Sequence, residues 1–546
     1  MPTVYNFEAK SIQTYILDSG KLKDMIGASE QIEYLCCDQG LLDQVLDSLD
    51  LSSKVQFARK AGGAFVAIFS EHQKAERFQA VWTFCVQKVC PGLDFAQGIG
   101  TGKDLKMAIE NAAKAFKTDD HNRLLFLLPL AGPLVARNPR TGQPAVNERF
   151  DEEKQREERL DIVTDCKRQF RKGRLLIDKL ALEHEGKLEY DWPTNLEFQE
   201  PEKSEITFPF LKDNQYLGII HADGNDLGQL SKTVQDKLLE NPDSYARIMK
   251  DFSEAIQDTT VKSARQATID VLTKKVDKLT RIMPARPLVL GGDDLTFIVR
   301  GDLALDFTNV FLEEFEKRSQ QALTQLKQNH NELEKILPEQ LTACAGIAYI
   351  KASQPFYQGY DLAESLCKHA KTFSHEHSGE DELMPSSIAF HRITSSLIGD
   401  YKTILERELT VAHGNTKIQL TMQPYLVGDV EATANNHECV KLEDLQTLFN
   451  FLNESEISHG IVREFLSLLE IDYRQAVQTI QRWHDNLKKR GETELSHFEQ
   501  LLGKLIEEAD TDMDCPLKLI NRQKQTPVSD ALALIHVSKG SDYVSS

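Results

Sequence analysis

The segment RPLVLGGDDLTFIVR, residues 286–300, constrains the fold of this chain more than any other segment. Two β-rich apolar runs, 286–290 and 295–300, flank two glycines and two adjacent aspartates. Their separation suits a tight hairpin, because glycine permits backbone conformations that other residues disfavour. The carboxylates of Asp293 and Asp294 are therefore predicted to lie at a turn, beside the ends of two paired strands.

The neighbouring segments place this hairpin in a sheet. YLGIIHAD, residues 216–223, is typical of a buried strand that ends in a carboxylate, and LTACAGIAYI, residues 341–350, is typical of another strand. Helical periodicity is present over about 245–279, 302–329 and 361–373. The order strand, helix, hairpin, helix, strand and helix predicts a ferredoxin-like sheet with helices on one face.

The N-terminal part repeats this order, which indicates an internal duplication. The runs 3–16, 60–70 and 108–117 are placed like the first strand, the hairpin and the closing helix of the later unit. In this alignment Glu8 lies near the position of the first-strand carboxylate, and Ala64–Phe65 replaces the aspartate pair. The first copy is therefore predicted to have lost the two adjacent acids.

Composition limits the class of protein. The 546 residues are 41% hydrophobic and 27% charged, which is typical of a soluble globular chain with several domains. No apolar run approaches the roughly 20 residues that cross a bilayer, and the N-terminus lacks the layout of a secretory signal. We therefore expect a cytoplasmic protein without membrane contact. The net charge of −20 disfavours general nucleic-acid binding.

The cysteines indicate a reducing compartment. They form no CxxC pair and their number is odd, which favours free thiols over a disulfide framework and argues against an intact zinc site. The nine lie at positions 36, 37, 85, 90, 166, 344, 367, 439 and 515.

Three carboxylates are predicted to converge at one edge of the later sheet. Asp223 ends the first strand, and Asp293 and Asp294 lie at the turn of the neighbouring hairpin. Crowded carboxylates repel each other unless a cation neutralises them, and Mg²⁺ or Mn²⁺ prefers hard oxygens together with substrate phosphates. Two such ions can activate an attacking hydroxyl and stabilise a leaving pyrophosphate, as nucleotidyl transfer requires. Taken singly, Asp223 could instead cap a helix, and an Asp-Asp pair could be an ordinary turn.

Glycines and one lysine complete a candidate nucleotide site. Gly291 and Gly292 remove side chains where a nucleotide would approach the backbone. Lys371, on the closing helix, could neutralise β- and γ-phosphates, or could be a surface lysine. The segment after Asp223 offers amide groups and polar side chains to a triphosphate. Its candidate residues are Gly224, Asn225, Asp226 and Gly228.

Four further segments are interpreted as structural or as weak candidates. GIGTGKD, residues 98–104, lacks the GxxxxGK[ST] spacing of a phosphate loop and is interpreted as a turn. The charged segment 151–160 is interpreted as the start of a solvated helix. The basic segment 166–174 is interpreted as an exposed helix end, with RNA contact as the alternative. His391 follows an apolar strand-like run, and we interpret it as a structural histidine in preference to a functional one.

In these motifs the chain resembles the large palm-domain subunit of type III CRISPR effector complexes. GGDD alone would be less specific, since diguanylate-cyclase-type domains carry a related motif. The matching segments, in the expected order over most of the chain, are residues 11–29, 221–228, 284–299, 342–351, 363–371, 386–396 and 420–425.

The resemblance implies an α+β fold with two ferredoxin-like palm domains, of the nucleotide-cyclase and polymerase type, together with a helical linker and a helical C-terminal domain. The first palm is degenerate and the second carries GGDD. The corresponding boundaries are 1–130 for the first palm, 131–205 for the linker region, 206–400 for the second palm and 401–546 for the C-terminal domain.

The resemblance also implies an activity. Members of the family make cyclic oligoadenylate messengers from ATP when the wider complex binds a foreign target RNA. Other effector-complex subunits and guide and target RNA are therefore the expected partners. By motif match, Asp223, Asp293 and Asp294 would be the catalytic metal ligands, and Lys371 would contact phosphate.

The chain departs from the family pattern in two places. Members often begin with an HD nuclease domain, whereas here the degenerate palm begins almost at residue 1, so no such nuclease activity is expected. Many members carry a cysteine-based zinc knuckle between the palms. Residues 136–146 resemble that knuckle with its cysteines replaced, so no zinc is expected there.

Two other functions stay open at the level of sequence. One is a scaffold or RNA-binding subunit of the effector complex that binds nucleotide with little turnover. The other is a stand-alone cyclic-dinucleotide cyclase of a related defence system. The residues above do not specify the base, the ring size or the linkage of a product.

Overall fold

The computed structural model contains helices together with five β-sheets in its described residues, so the predicted α+β class is confirmed. None of the helices in these residues is long and apolar enough to span a bilayer. The structure describes residues 1–18, 20–121, 132–151, 156–180, 183–184, 187–188, 190–196, 206–211, 215–240, 242–379, 382–394, 399–413, 416–429, 439–454, 459–490, 518–520 and 523–538.

Residues 3–121 form the first unit, a four-stranded antiparallel sheet with helices. Its elements are β1 (Thr3–Lys10), α1 (Ile12–Leu17), α2 (Leu22–Cys36), α3 (Leu41–Ser48), β2 (Val55–Ala61), β3 (Ala64–Phe69), α4 (His72–Val89), β4 (Asp94–Thr101) and α5 (Leu105–His121). The strand order is β2-β3-β1-β4. Phe7 and Phe65 stack with their ring centroids 5.4 Å apart, and Trp82 of α4 meets both rings edge-on. These buried aromatic contacts fix α4 against the sheet.

The segment 98–104 begins in strand β4, so the turn interpretation is wrong for residues 98–101. A side chain at Gly98 would overlap the backbone of α5 at Ala112 and Phe116. The glycine is therefore required by a close approach of helix to strand, which sequence alone does not distinguish from a turn.

A linker region follows the first unit. Its elements are β5 (Ala145–Asp151), β6 (Arg156–Asp161), α6 (Ile162–Gln169), α7 (Leu175–Leu180), β7 (Glu183–His184) and β8 (Lys187–Leu188). The segment 151–160 is interpreted from sequence as the start of a helix, but residue 151 ends β5 and residues 156–160 lie in β6, which pairs with β5. The residues 152–155 of that interpretation lie outside the described part of the chain.

The basic segment 166–174 is exposed only in part, at Gln169, Lys172 and Arg174. Lys167 and Arg168 are buried, and the Arg168 guanidinium forms ion pairs with Asp24 and Glu158, the latter at 2.9 Å. Arg168 ties the linker region to α2 of the first unit through Asp24, and Lys167 ties it to α1 by donating a hydrogen bond to the Tyr15 carbonyl. The interpretation as an exposed helix end, and the alternative of RNA contact, are therefore wrong for Lys167 and Arg168.

Residues 216–392 form the second unit. Its elements are β9 (Tyr216–Gly224), α8 (Leu227–Leu238), α9 (Tyr245–Ala267), β10 (Ala285–Gly291), β11 (Asp294–Arg300), α10 (Ala304–Asn329), β12 (Ala343–Lys351), α11 (Phe356–Glu376) and β13 (Ser386–Arg392). Helix α9 continues as a π-helical turn over Thr268–Leu272. Counted from the edge strand β10, the first four strands of its sheet have the order β10-β11-β9-β12, which repeats the strand order of the first unit.

The C-terminal region packs against the second unit. Its elements are α12 (Tyr401–Arg407), β14 (Thr410–His413), β15 (Thr416–Gln419), β16 (Tyr425–Val427), α13 (Leu442–Glu454), α14 (His459–Ile471), α15 (Tyr473–Arg490), β17 (Lys518–Ile520), β18 (Gln523–Gln525) and α16 (Val528–Ser538). Helices α13, α14 and α15 lie where helical periodicity is present, and a small sheet of order β14-β15-β18-β17 accompanies them. Strand β16 pairs with β13 and extends the large sheet.

Candidate active site

The strand register brings the carboxylates of the second unit to one end of its sheet. In the pairing of β9 with β11, Ala222 lies opposite Leu295. The next position in the register sets Asp223 beside Asp294. Asp293 lies in the two-residue turn between β10 and β11, after Gly292.

The first unit has the same register, which defines its equivalent positions. Glu8 of β1 pairs with Ala64 of β3, as Asp223 neighbours Asp294 in the second unit. The hairpin pair Ala61 and Ala64 likewise corresponds to Gly291 and Asp294. Glu8 is thus equivalent to Asp223, in agreement with the sequence alignment. The aspartate pair corresponds to Gly63–Ala64, so the alignment with Ala64–Phe65 is wrong by one residue.

The three aspartates of the second unit interact directly. Asp293 and Asp294 both lie within hydrogen-bonding reach of the Asp223 carboxyl group. Burial, followed by the negative charge of Asp223, raises the pKa of Asp293 to about 6. Burial and the charges of its two neighbours raise the pKa of Asp294 well above its ordinary value. Burial and mutual repulsion therefore both disfavour full ionisation of the three carboxyl groups.

Lys371 of α11 is a cation that faces this cluster. Its Nζ forms an ion pair with Asp223 and donates a hydrogen bond of 2.7 Å to the backbone carbonyl of Gly224. Burial disfavours the charged ammonium, but the Asp223 carboxylate outweighs that effect, so the pKa of Lys371 is raised. The lysine lowers the pKa values of Asp293 and Asp294 without cancelling their upward shifts.

The segment after Asp223 turns sharply into helix α8. The backbone N–H and Nδ2 of Asn225 donate to the carbonyl and Oγ1 of Thr342, both at 2.9 Å, and its buried Oδ1 has no hydrogen-bond partner. Asp226 is exposed with φ of 53° and does not cap the helix with its side chain. A side chain at Gly224 would overlap Leu227, whereas Gly228 has open space beside it. Asn225 is thus held by Thr342, the residue before β12, and Gly228 is accessible.

A cavity of about 390 Å³ separates the two units beside the carboxylates. The second unit contributes residues 291–294, and the first unit contributes Glu8 with an apolar wall that includes Ile12, Ile16 and Ile32. The volume is within the range of small-molecule sites, roughly 300–1,000 Å³. The lining of the cavity therefore combines carboxylates with apolar side chains from both units, and it includes neither Asp223 nor Lys371.

The GGDD hairpin is held by residues that sequence reasoning did not identify. Lys179 Nζ donates to the Leu290 carbonyl at 2.9 Å and pairs with Glu33 of α2 at 2.7 Å. Thr260 Oγ1 donates to the carbonyl of Gly292 at 2.7 Å. No motif indicates these contacts, since they connect the linker region and α9 to the hairpin across long stretches of sequence.

The second unit contains a buried histidine, His221, and a partly buried one, His391, that are uncharged at neutral pH. Burial lowers the pKa of His221, in β9, and of His391, in β13, to about 4 in each case. His391 contacts the ring of Tyr401 and does not line the cavity. Its environment agrees with the interpretation as a structural histidine.

The oxygen atoms around Asp223 fit a divalent cation of the Mg²⁺ class. They comprise three carboxylates and the carbonyl of Gly224, and the raised pKa values show that added positive charge would be favourable. Within the described ranges, no three His, Cys, Asp or Glu side chains already surround one metal position. Asp223, Asp293 and Asp294 would therefore have to draw together around an ion.

A family model matches the second unit by sequence. Residues 216–380 match the family model described as the Cas10/Cmr2 second palm domain. This range begins with β9 and contains Asp223, Asp293, Asp294 and Lys371. No curated protein matches the chain by sequence.

Several crystal structures resemble the chain at low identity. The Csm1–Csm4 cassette in complex with cA4 has 12% identity and a TM-score of 0.48, over 98% of this chain and 70% of that chain. Csm1 in T. onnurineus has 13% identity and a TM-score of 0.49, over 98% and 69%. The cassette in complex with AMPPNP has 14% identity and a TM-score of 0.46, over 98% and 70%. The assignment rests on the sequence match: residues 216–380 belong to the family of Cas10/Cmr2 second palm domains.

Proposed function

We propose that this chain is a Mg²⁺-dependent nucleotidyltransferase that makes cyclic oligoadenylates from ATP in RNA-activated antiviral defence of the type III CRISPR kind. The observation that carries the proposal is the convergence of Asp223, Asp293 and Asp294 beside a nucleotide-sized cavity. The membership of residues 216–380 in the Cas10/Cmr2 second palm family supports it. The choice of ATP and of a cyclic product follows the resemblance in sequence motifs.

The shape of the cavity supports nucleotide binding. Its carboxylate end would receive the triphosphate with its cations, and its apolar wall on the first unit would receive a base. Gly292, with φ of 63°, lets the hairpin turn without a side chain that would obstruct the phosphates. Gly228 leaves the same kind of opening at the start of α8. Lys371 would supply positive charge near the phosphates.

The three aspartates would hold the metal. When bound, divalent ions there would activate a ribose 3′-hydroxyl and neutralise a departing pyrophosphate. The protein's own contribution is to fix the carboxylates, because Asp223 lies in a buried central strand and the hairpin is bonded to Lys179 and Thr260. The enclosing walls of the two units would exclude water from the reacting groups.

The biological setting forms part of the proposal. The motif resemblance favours a cytoplasmic effector complex in which other subunits and a guide RNA position the target RNA. A chain of net charge −20 would depend on such partners for RNA binding.

The proposal is tested by analysing the products of purified protein incubated with ATP, GTP and Mg²⁺, with and without target RNA and candidate partner subunits. Chromatography with mass spectrometry would identify any cyclic adenylates. The double variant Asp293→Asn with Asp294→Asn removes two ligand charges with little change of shape. Asp236→Asn, an exposed carboxylate on α8, is the matched control.

Cyclic adenylates that disappear in the double variant and persist in the control would support the catalytic assignment. Dependence on RNA would favour an effector-complex subunit, and independence would favour a stand-alone cyclase. Normal turnover by the double variant would contradict the site assignment. No product under any condition would favour the scaffold.

A further inference from the structure

Lys371 contacts two oxygen atoms that a divalent cation at this site would need as ligands. Its Nζ contacts both the Asp223 carboxylate and the Gly224 carbonyl, and the latter hydrogen bond is 2.7 Å long. A carboxylate and a backbone carbonyl on successive residues form a pair of hard oxygen donors. The ammonium group thus lies where these two donors converge.

Because of the charges around Lys371, its ammonium group and a divalent cation would compete for the same oxygen atoms. Three carboxylates face one ammonium, so the single positive charge of Lys371 cannot balance all three when they are ionised. A divalent cation would neutralise more charge than the lysine does. It cannot approach Asp223 and Gly224 closely, however, while the ammonium remains in contact with both.

We propose that Lys371 is an internal counter-ion that holds the metal position closed in the nucleotide-free protein and leaves it when metal and nucleotide enter together. This inference rests on the proposed binding of a metal–nucleotide complex. It adds that the metal binds together with the nucleotide and not before it. Metal alone must displace the lysine from Asp223 without offering it another anion. A nucleotide triphosphate offers both additional metal ligands and a new partner for the ammonium.

The consequence is a low affinity for free metal. When only a fraction of the molecules is competent to bind, the apparent dissociation constant rises by the inverse of that fraction. Nucleotide would relieve this restriction by binding the displaced lysine. The site would then bind metal tightly only when substrate is present, which prevents unproductive occupation.

Binding of Mn²⁺ to the full-length protein, followed by electron paramagnetic resonance, tests this order. Lys371→Met removes the ammonium while keeping a long side chain. Without nucleotide, this variant should bind Mn²⁺ at least tenfold more tightly than the unmodified chain. With a non-hydrolysable ATP analogue, the advantage should disappear, because the variant has lost a phosphate contact. Lys368→Met, an exposed lysine one turn earlier on α11, should behave like the unmodified chain.

A second measurement uses the unmodified protein and does not depend on the folding of a variant. Acylation of lysine amines, quantified by mass spectrometry, reports how accessible each ammonium is. Saturating Mn²⁺ should raise the acylation rate of Lys371 severalfold relative to Lys368. Equal Mn²⁺ affinity of the unmodified chain and Lys371→Met, or an acylation rate that Mn²⁺ leaves unchanged, would overturn the proposal.

These outcomes are separate from the test of the proposed function. A chain that makes no product could still show the competition between lysine and metal. A chain that makes cyclic adenylates could bind free metal equally well with and without Lys371.

Discussion

Gly98 and Gly346 occupy equivalent positions in the two units, and each lies directly beneath the helix that closes its sheet. Gly98 of β4 pairs with Asn6, two residues before Glu8, and Gly346 of β12 pairs with His221, two residues before Asp223. A side chain at Gly98 would overlap α5, and one at Gly346 would overlap the backbone of α11. The duplication therefore preserved a close contact of strand and helix while the carboxylate pair was kept in one unit alone.

Gly346→Ala should destabilise the protein and impair the site. The added methyl group would overlap the Ala363 carbonyl, so α11 must move outward. Overpacking of this kind costs about 1–3 kcal/mol. Because α11 carries Lys371, the contact of this lysine with Asp223 should weaken as well. Urea denaturation would measure the loss of free energy of unfolding.

Two glycine variants control for this effect. Gly98→Ala should cost a similar amount of free energy without displacing Lys371. Gly132→Ala, where the nearest atom to the new methyl group is 4.0 Å away, should be nearly neutral. A neutral Gly346→Ala would contradict the close approach of α11 to β12.

The second unit could be predicted from sequence because its local signals agree. Apolar runs of strand length, glycines at the hairpin and helical periodicity on both sides all predict the same sheet. The convergence of Asp223 with Asp293 and Asp294 then follows from strand order. The contact of Lys371 with Asp223 joins residues 148 positions apart, and the sequence predicted only a phosphate contact for this lysine.

Other features depend on tertiary contacts that local sequence does not encode. Strand β6 has the charged sequence REERLD, which lacks apolar alternation, and its conformation comes from pairing with β5. The register of the β2–β3 hairpin is set by its pairing with β1, which is why alignment of motifs misplaces the lost aspartates by one residue. The basic sequence predicts that Lys167 and Arg168 are exposed, but packing against α2 buries both residues.

Lys179 should be a positioning residue for the GGDD hairpin. Its ammonium connects Glu33 of the first unit with the carbonyl of Leu290, one residue before the glycines. Lys179→Met would leave Glu33 and this carbonyl without that donor, which costs about 1–3 kcal/mol for bonds to a charged group. We expect kcat to fall at least tenfold with a smaller change in KM, because the aspartates shift while the cavity walls remain.

The matched control is Lys250→Met, which removes an exposed pair with Glu254. Surface pairs of this kind contribute about 0–1 kcal/mol, so stability and turnover should both be retained. Unchanged kcat in Lys179→Met, at unchanged metal concentration, would show that the hairpin does not depend on this lysine.

Asp161 should hold the linker loop that resembles a zinc knuckle without cysteines. It accepts hydrogen bonds from Asn138 at 2.6 Å and from Thr141 at 2.7 Å, and it caps α6 through the N–H of Thr164 at 2.9 Å. Burial raises the pKa of Asp161, but these hydrogen bonds outweigh it, so the net shift is downward. Asp161→Ala should cost at least about 1 kcal/mol of unfolding free energy.

The same loop gives a prediction about metal. Treatment with a chelator should leave the unfolding free energy unchanged, because hydrogen bonds of Asp161 connect the loop to α6. Glu148→Ala, which removes an exposed pair with Arg159, serves as the neutral control for the substitution. Stoichiometric zinc in elemental analysis, or a loss of stability on chelation, would contradict this account.

Asp530 of α16 should make stability depend on pH. Its carboxylate is buried and accepts hydrogen bonds from Gln423 Nε2 at 2.8 Å and from Tyr425 at 2.6 Å. Burial nevertheless raises the pKa of Asp530 to about 6, above the ordinary value of about 3.9. Between these values the folded state binds a proton that the unfolded state does not bind. The contribution of Asp530 to stability is therefore greatest below about pH 4 and declines as pH rises towards 6.

Asp530→Asn isolates this contribution, because the amide does not titrate. We compare the unfolding free energy of the unmodified chain with that of the variant. The unmodified value minus the variant value should fall as pH rises from 4 to 6. The fall should be at most roughly 3 kcal/mol, since each pKa unit corresponds to about 1.4 kcal/mol. Urea denaturation at a series of pH values measures this difference. Asp236→Asn, at an exposed position on α8, is the control for the substitution itself. A difference for Asp530 that stayed constant or rose over this range would mean that its carboxylate is not held in a buried environment against Gln423 and Tyr425.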